Sequence, residues 1–551
     1  MMLDDLFGKL YDKAHEMTCG SILYRLSLLG TQSAQLIQTP SDIWQGDAGR
    51  GQWLCSGSFE FEGTQIALGK DGWENDAILT HPFWAGYAMR FDWLRDLKAL
   101  GGDVGRLGAR HYVKDWIDCY HNWDARAWGA GWTGRRIANW LSHFEFFARS
   151  APDDFIDLVI ASLSRQLRHL TRVPAHRIRE DEMLQAAKGL IFGGLCLEGQ
   201  EIALAQGEAL LKKALEAQIL ADGGHVSRSP QILLDWACDC MDILMLVRKC
   251  HYTGHSDAFG VLAQTLDRMV QALRFFRCKD GKLPLFNGAQ EGDANRLETL
   301  FRYADNRSRK VLSALPESGY ERLVQDKTQI IFDVGVPPKR KHNHATHAGL
   351  LAFECSYGKE RLIVNCGTHP VCPEWGHILK SSAAHSTLIV DERNSCEILP
   401  DGHIGRTPAA PKLRKTENRH GVLIEAEHAG YEVSLGLTHM RRLFMTERGH
   451  DIRGEDLLMA ENTLKDEVGY AIRFHLHPRA QVTLVQGGTE ALIKLPSGAG
   501  WRFRQDGASL GLEASIYLGK GTIPRKTNQI VLSGRFTGGL DVVKWALQLE
   551  G

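Results

Sequence analysis

The sequence has no apolar run of the ~18–20 residues that a membrane-spanning helix needs. Its first ten residues carry Asp4 and Asp5 and lack the basic segment, apolar run and small-residue cleavage site of a secretory leader. A cytoplasmic protein with no membrane contact is therefore expected. Neither sign of charge dominates, with 65 Lys and Arg against 66 Asp and Glu. That balance argues against a general nucleic-acid binder, although a local basic cleft stays compatible with it. No pair among the twelve cysteines has the spacing of a zinc knuckle or a redox motif. Several, such as Cys238 and Cys240, sit inside apolar helical patterns, where buried reduced thiols are expected.

What the chain does have is length and two distinct periodicities. Its 551 residues exceed one ordinary domain, for which ~150 residues is the soft prior. Residues 154–172 place Phe155, Val159, Leu163, Leu167 and Leu170 at three- and four-residue steps, which predicts one apolar face of a helix. The same pattern recurs over 229–249 and 256–277, with Gly- and Asp-containing turns between. After about residue 325 the period changes. A hairpin is predicted over Leu350–Cys366, followed by short strands at Ser386–Asp391, Gly421–His428, Tyr431–Leu437, Val468–His477, Gln481–Val485 and Glu490–Leu495. Helices followed by many short strands predict a multidomain α+β chain ending in an antiparallel β-sandwich. The expected division is an arm over 1–74 with a small hairpin at Ser58–Leu68, a helical domain over 75–320 and a sandwich domain over 321–551. The boundary falls in the polar stretch Pro316–Lys327.

Several short segments then carry a resemblance. Trp132-Thr133-Gly134-Arg135-Arg136-Ile137-Ala138-Asn139-Trp140-Leu141 resembles a helix-start signature of heparinase II/III-like proteins. Asp222-Gly223-Gly224-His225, Phe286-Asn287-Gly288, Thr346-His347-Ala348-Gly349 and Ser382-Ala383-Ala384-His385-Ser386-Thr387-Leu388 are similar to that family too, in family order. The resemblance implies that the helices form an incomplete (α/α) toroid, with the glycan in a groove facing the sandwich.

A polysaccharide lyase must neutralise a uronate carboxylate, remove the adjacent proton and protonate the departing oxygen. The resemblance implies that an Asn-His pair on a toroid helix, a Tyr after the Asp-Gly-Gly turn and a sandwich His do this work. Here the pair aligns with Asp181-Glu182, the Tyr with Ile232 and the first sandwich His with Ala345, while the second His is kept as His347. The expected catalytic set is His347, His385, His225 and Arg228, with Arg228 able to clamp a carboxylate bidentately. Asn287, Trp128, Trp132 and Arg136 are the expected substrate-binding residues; core packing is the plain alternative for each Trp. No cofactor is required. The resemblance also implies a metal position for Zn²⁺ at His347, Asn365 and His385, where a neutral amide replaces the family's Asp and weakens attraction for the cation.

Other residues invite weighing. His342 and His344 lie beside the basic run Lys339-Arg340-Lys341 and offer a shifted base or a solvated loop. Glu291 and Asp293 occupy a Gly-rich loop, where turn chemistry is the plain reading. His475 and His477 alternate along a strand and so share a face. Asp181 and Glu182 point about 100° apart if helical, so they do not make a hydrolytic dyad by themselves. The expected function is β-elimination on a uronic-acid-containing glycan, the partner being an acidic oligo- or polysaccharide; a glycan hydrolase and a non-catalytic glycan-binding protein are the rivals.

Overall fold

The computed structural model describes residues 16–29, 34–254, 256–304, 311–461, 464 and 466–550. They divide into two compact units. The first comprises the described residues up to Gln218 with Trp236–Leu266, and the second comprises Ile219–Asp235 with the described residues from Asp267 onward.

The first unit is helical. Its helix Asp153–Arg172 buries Val159, Leu163, Leu167 and Leu170, the stripe expected from their spacing, with Asp153 and Asp154 at its N-terminus and Arg172 in its last turn to complement the helix dipole. Helices Ala130–Phe147 and Met183–Cys196 cross where Gly134 meets Gly189; a Cβ on either would overlap the other's backbone. That crossing explains a glycine inside the Trp132–Leu141 segment, despite its cost to helix propensity. The hairpin expected before residue 75 is present as Ser58–Phe61 paired with Thr64–Ala67. The expected helices over 229–249 and 256–277 are Pro230–Lys249, opened by Pro at its first position, and Ala258–Phe276.

The second unit carries two antiparallel sheets. In one, Lys412–Asn418, Gly421–Tyr431, Leu437–Thr446, Asp451–Ala460, Gly539–Leu549, Gly500–Asp506, Glu490–Lys494 and Gln481–Val485 lie side by side in that order. In the other, the expected hairpin Phe353–Tyr357/Glu360–Val364 sits between Thr328–Asp333 and Val468–Leu476, with Arg525–Phe536 and Ser509–Tyr517 beyond. Between the sheets the rings of Phe353 and Trp545 stack with centroids 5.7 Å apart, and Phe474, Trp501 and Phe503 join the same apolar cluster. Such face-to-face packing of inward-pointing side chains is how a sandwich closes its core.

Two expectations need correction. Tyr431–Leu437 is not a strand: Glu432–Leu435 forms one helical turn, stopped by Gly436 in the left-handed region at φ 68°, and the next strand begins at Leu437. The register between the flanking strands shifts between His428 and Tyr431, which accommodates the extra turn. Nor are all the thiols buried, since Cys55 and Cys119 are exposed. Among the described residues no helix is long and apolar enough to cross a membrane.

Candidate functional site

The second unit gathers most of the candidate residues from four separate segments. The turn at Asp222–His225 is held by its own aspartate: Asp222 Oδ1 accepts from the Gly224 N–H at 2.9 Å, and Oδ2 from the Ser318 N–H at 2.7 Å. His225 follows, buried, with Nδ1 accepting from the Ser227 N–H at 3.1 Å, so its ring proton sits on Nε2. Burial pushes its pKa down to about 3 and keeps it neutral.

Arg228 adopts a left-handed backbone at φ 61° and turns its guanidinium onto Asp333. Nε donates to Ser318 O at 2.7 Å and Nη1 to Val336 O at 3.2 Å, while the plane lies over the Tyr320 ring at 4.9 Å. The Asp333 carboxylate raises Arg228 further, whereas burial outweighs the guanidinium at Asp333 itself and raises its carboxyl. We treat the pair as charged, because three backbone carbonyls and an aromatic face surround the guanidinium and stabilise the cation.

Asn287, also left-handed at φ 48°, joins this pair to the histidines. Its Nδ2 donates to Tyr320 Oη at 2.6 Å, and its Oδ1 accepts the His347 N–H at 3.1 Å. The Tyr320 hydroxyl donates to Arg228 O at 2.8 Å, and burial raises its pKa far above the ordinary tyrosine value. His385 Nδ1 lies 2.7 Å from Ser381 O, which fixes its proton there and leaves Nε2 as an acceptor for His347 Nδ1–H at 3.0 Å. This tautomer chain leaves the His347 Nε2 lone pair without a hydrogen-bond partner among the described residues. Burial holds His385 down at about 4 and His347 well below the ordinary histidine value. Gly349 is required beside this pair, since a Cβ there would stand 2.6 Å from His385 Cδ2.

The metal position can be tested on its donors. His347 and His385 place two imidazole nitrogens 3.0 Å apart, but they share a proton, and the Asn365 Oδ1 already accepts the Ser386 N–H at 3.0 Å. Among the described residues no group of three or more His, Cys, Asp or Glu is placed to hold a metal ion. The residues present do not fit a tetrahedral Zn²⁺ set, which needs anionic or imidazole donors at every protein position.

The remaining candidates are held by other partners. In the helical unit, Arg136 is fully buried, stacked over Trp116 at 4.0 Å and donating to Gln166 Oε1 at 2.7 Å and to two backbone carbonyls. Trp128 is buried and donates to Tyr120 O, whereas Trp132 is half-buried against Gly86. Asp181 is exposed and paired with Arg179 on a short 3-10 turn, Glu180–Glu182, not on an α-helix. His342 ends another such turn, Arg340–His342, and His344 meets the edge of the His403 ring. Asp293 caps helix Ala294–Tyr303 by accepting the Asn295 N–H, which is turn chemistry as read. His475 is bonded to Ser515 and Ala383 O, while His477 approaches Glu291 to 3.9 Å. Tyr320 and Asp333 are central to the network, and neither stands out in the sequence as a site residue.

Chemically, the network is closed on itself except at His347 Nε2. The guanidinium is bonded to Asp333 and to backbone carbonyls, the amide to the phenol and the His347 N–H, and the phenol to the Arg228 carbonyl. Ile232 and Ala345 supply neither a base nor an acid at the positions where the lyase pattern places Tyr and His.

Comparison with known proteins agrees with the architecture. The family described as heparinase II/III-like, C-terminal, matches residues 307–546. FtsZ-localized protein C of Caulobacter vibrioides (strain NA1000 / CB15N) is 30% identical over 542 residues, covering 94% of this chain and 90% of that protein. A crystal structure of heparinase III matches with a TM-score of 0.72 at 12% identity, over 98% of this chain and 91% of its own. A mutant of the heparan sulfate lyase HepC from Pedobacter heparinus matches at 0.63 and 14% identity, over 95% and 85%. At these identities the likeness to solved structures speaks for the fold alone: an N-terminal incomplete (α/α) toroid followed by a C-terminal antiparallel β-sandwich.

Proposed function

The chain belongs to the heparinase II/III-like family, and from that premise we propose that it is a non-catalytic binding protein on a polysaccharide-lyase scaffold that localises with FtsZ. The observation that carries this reading is the closed network. Arg228 is bonded to Asp333, and Asn287 is spent on Tyr320 and His347, so neither is left to neutralise a uronate carboxylate. The one tyrosine in the network donates its proton to a carbonyl and is raised far from any working base. Localisation with FtsZ comes from the relative of that name, which is similar along nearly the whole chain. An acidic oligosaccharide is the ligand that the scaffold offers such a protein, and the cytoplasm is the location that suits this reading.

A second reading, β-elimination on a uronate-containing glycan, draws support from the unpartnered Nε2 of His347, a lone pair that can accept a proton. One experiment separates the two. The full chain is incubated with a panel of uronic-acid oligosaccharides, following ultraviolet absorbance and reducing ends, with and without chelator; sedimentation with FtsZ polymers is measured in parallel. Co-sedimentation without product in any glycan reaction supports the proposal. Absorbance rising together with reducing ends overturns it in favour of the lyase, and loss of that signal on His347→Ala would assign the chemistry to the histidine pair. Reducing ends without absorbance point to a hydrolase. Absence of co-sedimentation removes the FtsZ part.

A further inference from the structure

A cavity of about 380 Å³ in the second unit lies beside the turn of the Phe353–Tyr357/Glu360–Val364 hairpin, with neither His347 nor His385 in its wall. Its wall holds six Lys or Arg side chains against three carboxylates, and Pro496 is its one apolar residue among those described. The carboxylates are already engaged. Asp280 takes Arg361 Nε at 2.8 Å, Glu360 takes Ser497 N and Oγ at 2.9 and 2.5 Å, and Glu291 takes Lys282 and the Tyr517 hydroxyl. Against its burial, His477 and Arg361, with those bonds, keep Glu291 ionised, well below the usual carboxylate range.

The cations are not all matched. Lys359, Arg479 and Lys520 are exposed around the cavity, and among the described residues none has a carboxylate within ion-pair distance. Arg525 lies over the Tyr517 ring at 5.0 Å, which holds its guanidinium beside the same opening, 4.0 Å from Glu291. Buried Arg361 lines the same cavity; its Nη1, 3.9 Å from the Glu354 carboxylate, has no hydrogen-bond partner among the described residues. A concave wall with excess positive charge concentrates the field inward, where desolvated guanidinium groups bind oxyanions best.

We propose that this cavity is a binding site for a small phosphorylated molecule, its polyphosphate-type anion held by Arg479, Lys520 and Arg525 above Arg361. The volume is in the range of small-ligand sites, about 300–1,000 Å³. Pro496 is the one apolar residue in its lining, which favours a compact anion over an acidic protein segment that would need apolar anchors. Phosphate is the chemistry best matched by forked guanidinium donors with ammonium groups beside them. The site lies outside the lyase-like network and does not depend on the FtsZ reading.

Titration calorimetry of the full chain with inorganic pyrophosphate at low salt tests it. Binding is expected, weakening as ionic strength rises. Lys520→Glu should lose about tenfold in affinity and the double variant Arg479→Glu/Lys520→Glu more than that, as expected for losing charge-assisted hydrogen bonds. Both substitutions are at exposed positions, so unchanged melting curves check the fold, and Lys98→Glu in the helical unit should leave binding unchanged. No binding of pyrophosphate, or binding that ignores the double variant, overturns the site. A uronic-acid disaccharide bound more tightly than pyrophosphate at the same residues overturns the phosphate assignment.

Discussion

Replacing Asp333 by Ala removes the carboxylate that faces Arg228 and leaves a buried guanidinium with carbonyl partners only. Both side chains are about nineteen-twentieths buried, with 6% and 5% exposed, so solvent cannot rescue the cation. Breaking such a pair on one side costs about 3–5 kcal/mol. At about 2–4 °C per kcal/mol for a domain of this order of size, the transition of the sandwich-bearing unit should fall by roughly 10 °C. Asp333→Asn keeps an oxygen for Arg228 and for the Gly335 N–H, which Asp333 accepts at 3.1 Å, and should cost only about 1–2 kcal/mol. The double variant Arg228→Met/Asp333→Leu removes both charges and should recover about 2 kcal/mol or more relative to Asp333→Ala. Differential scanning calorimetry of the full chain, with each single variant alongside, yields the coupling energy directly. A coupling below about 0.5 kcal/mol would refute the reasoning. Arg228 would then be available to a ligand, and the lyase reading would gain what the binding reading lost.

Three further outcomes are expected. His475, buried and bonded to Ser515 and Ala383 O, has its pKa pushed down to about 3 by burial, while the unfolded chain titrates it near 6.5. Below pH 6.5 the unfolded state therefore binds a proton that the folded state refuses, and stability falls by about 1.4 kcal/mol per pH unit until about pH 3. Glu354, raised to about 7 by burial, acts oppositely: the folded chain protonates it first and regains stability as pH falls from 7 towards the unfolded value of 4.5. Urea midpoints between pH 6.5 and 4.5 should thus fall less steeply for His475→Gln than for the parent, and an equal slope would count against the assignment. Gly349→Ala drives a Cβ to 2.6 Å from His385; it should destabilise by about 1–3 kcal/mol, and a parent-like thermal melt would contradict the packing described. Gly134→Ala separates two helices whose backbones touch and should lower the melting of the helical unit by about 2 kcal/mol or more, read from the calorimetric transition; no shift would mean the crossing is looser than described.

Local pattern carried the elements and the family. Leu163, Leu167 and Leu170 mark a helix because a 3.6-residue period needs no distant partner to be seen. The same holds for the hairpin turn at Tyr357-Gly358-Lys359-Glu360, and for the short family segments on both sides of the change of period. Strand Leu437–Thr446 escaped the pattern because its inward positions include His439 and Arg441. Those two are buried on Asp456 of the neighbouring strand, whose Oδ1 lies 2.8 Å from His439 Nε2 and 2.7 Å from Arg441 Nε. A buried face that is polar and satisfied breaks the hydropathy alternation by which strands are read.

The site divides in the same way. The sequence by itself determined which chemistry-bearing residues exist, the lyase-like order of His225, Arg228, Asn287, His347 and His385, and the replacements at Ile232 and Ala345. Only the tertiary structure decided what those residues do with their hydrogen-bonding groups. Arg228 meets a carboxylate 105 positions away, and the His347 N–H meets an amide 60 positions away. Neither partner follows from local spacing, because burial, not sequence distance, forces each polar group to find whichever complement the folded chain brings within reach.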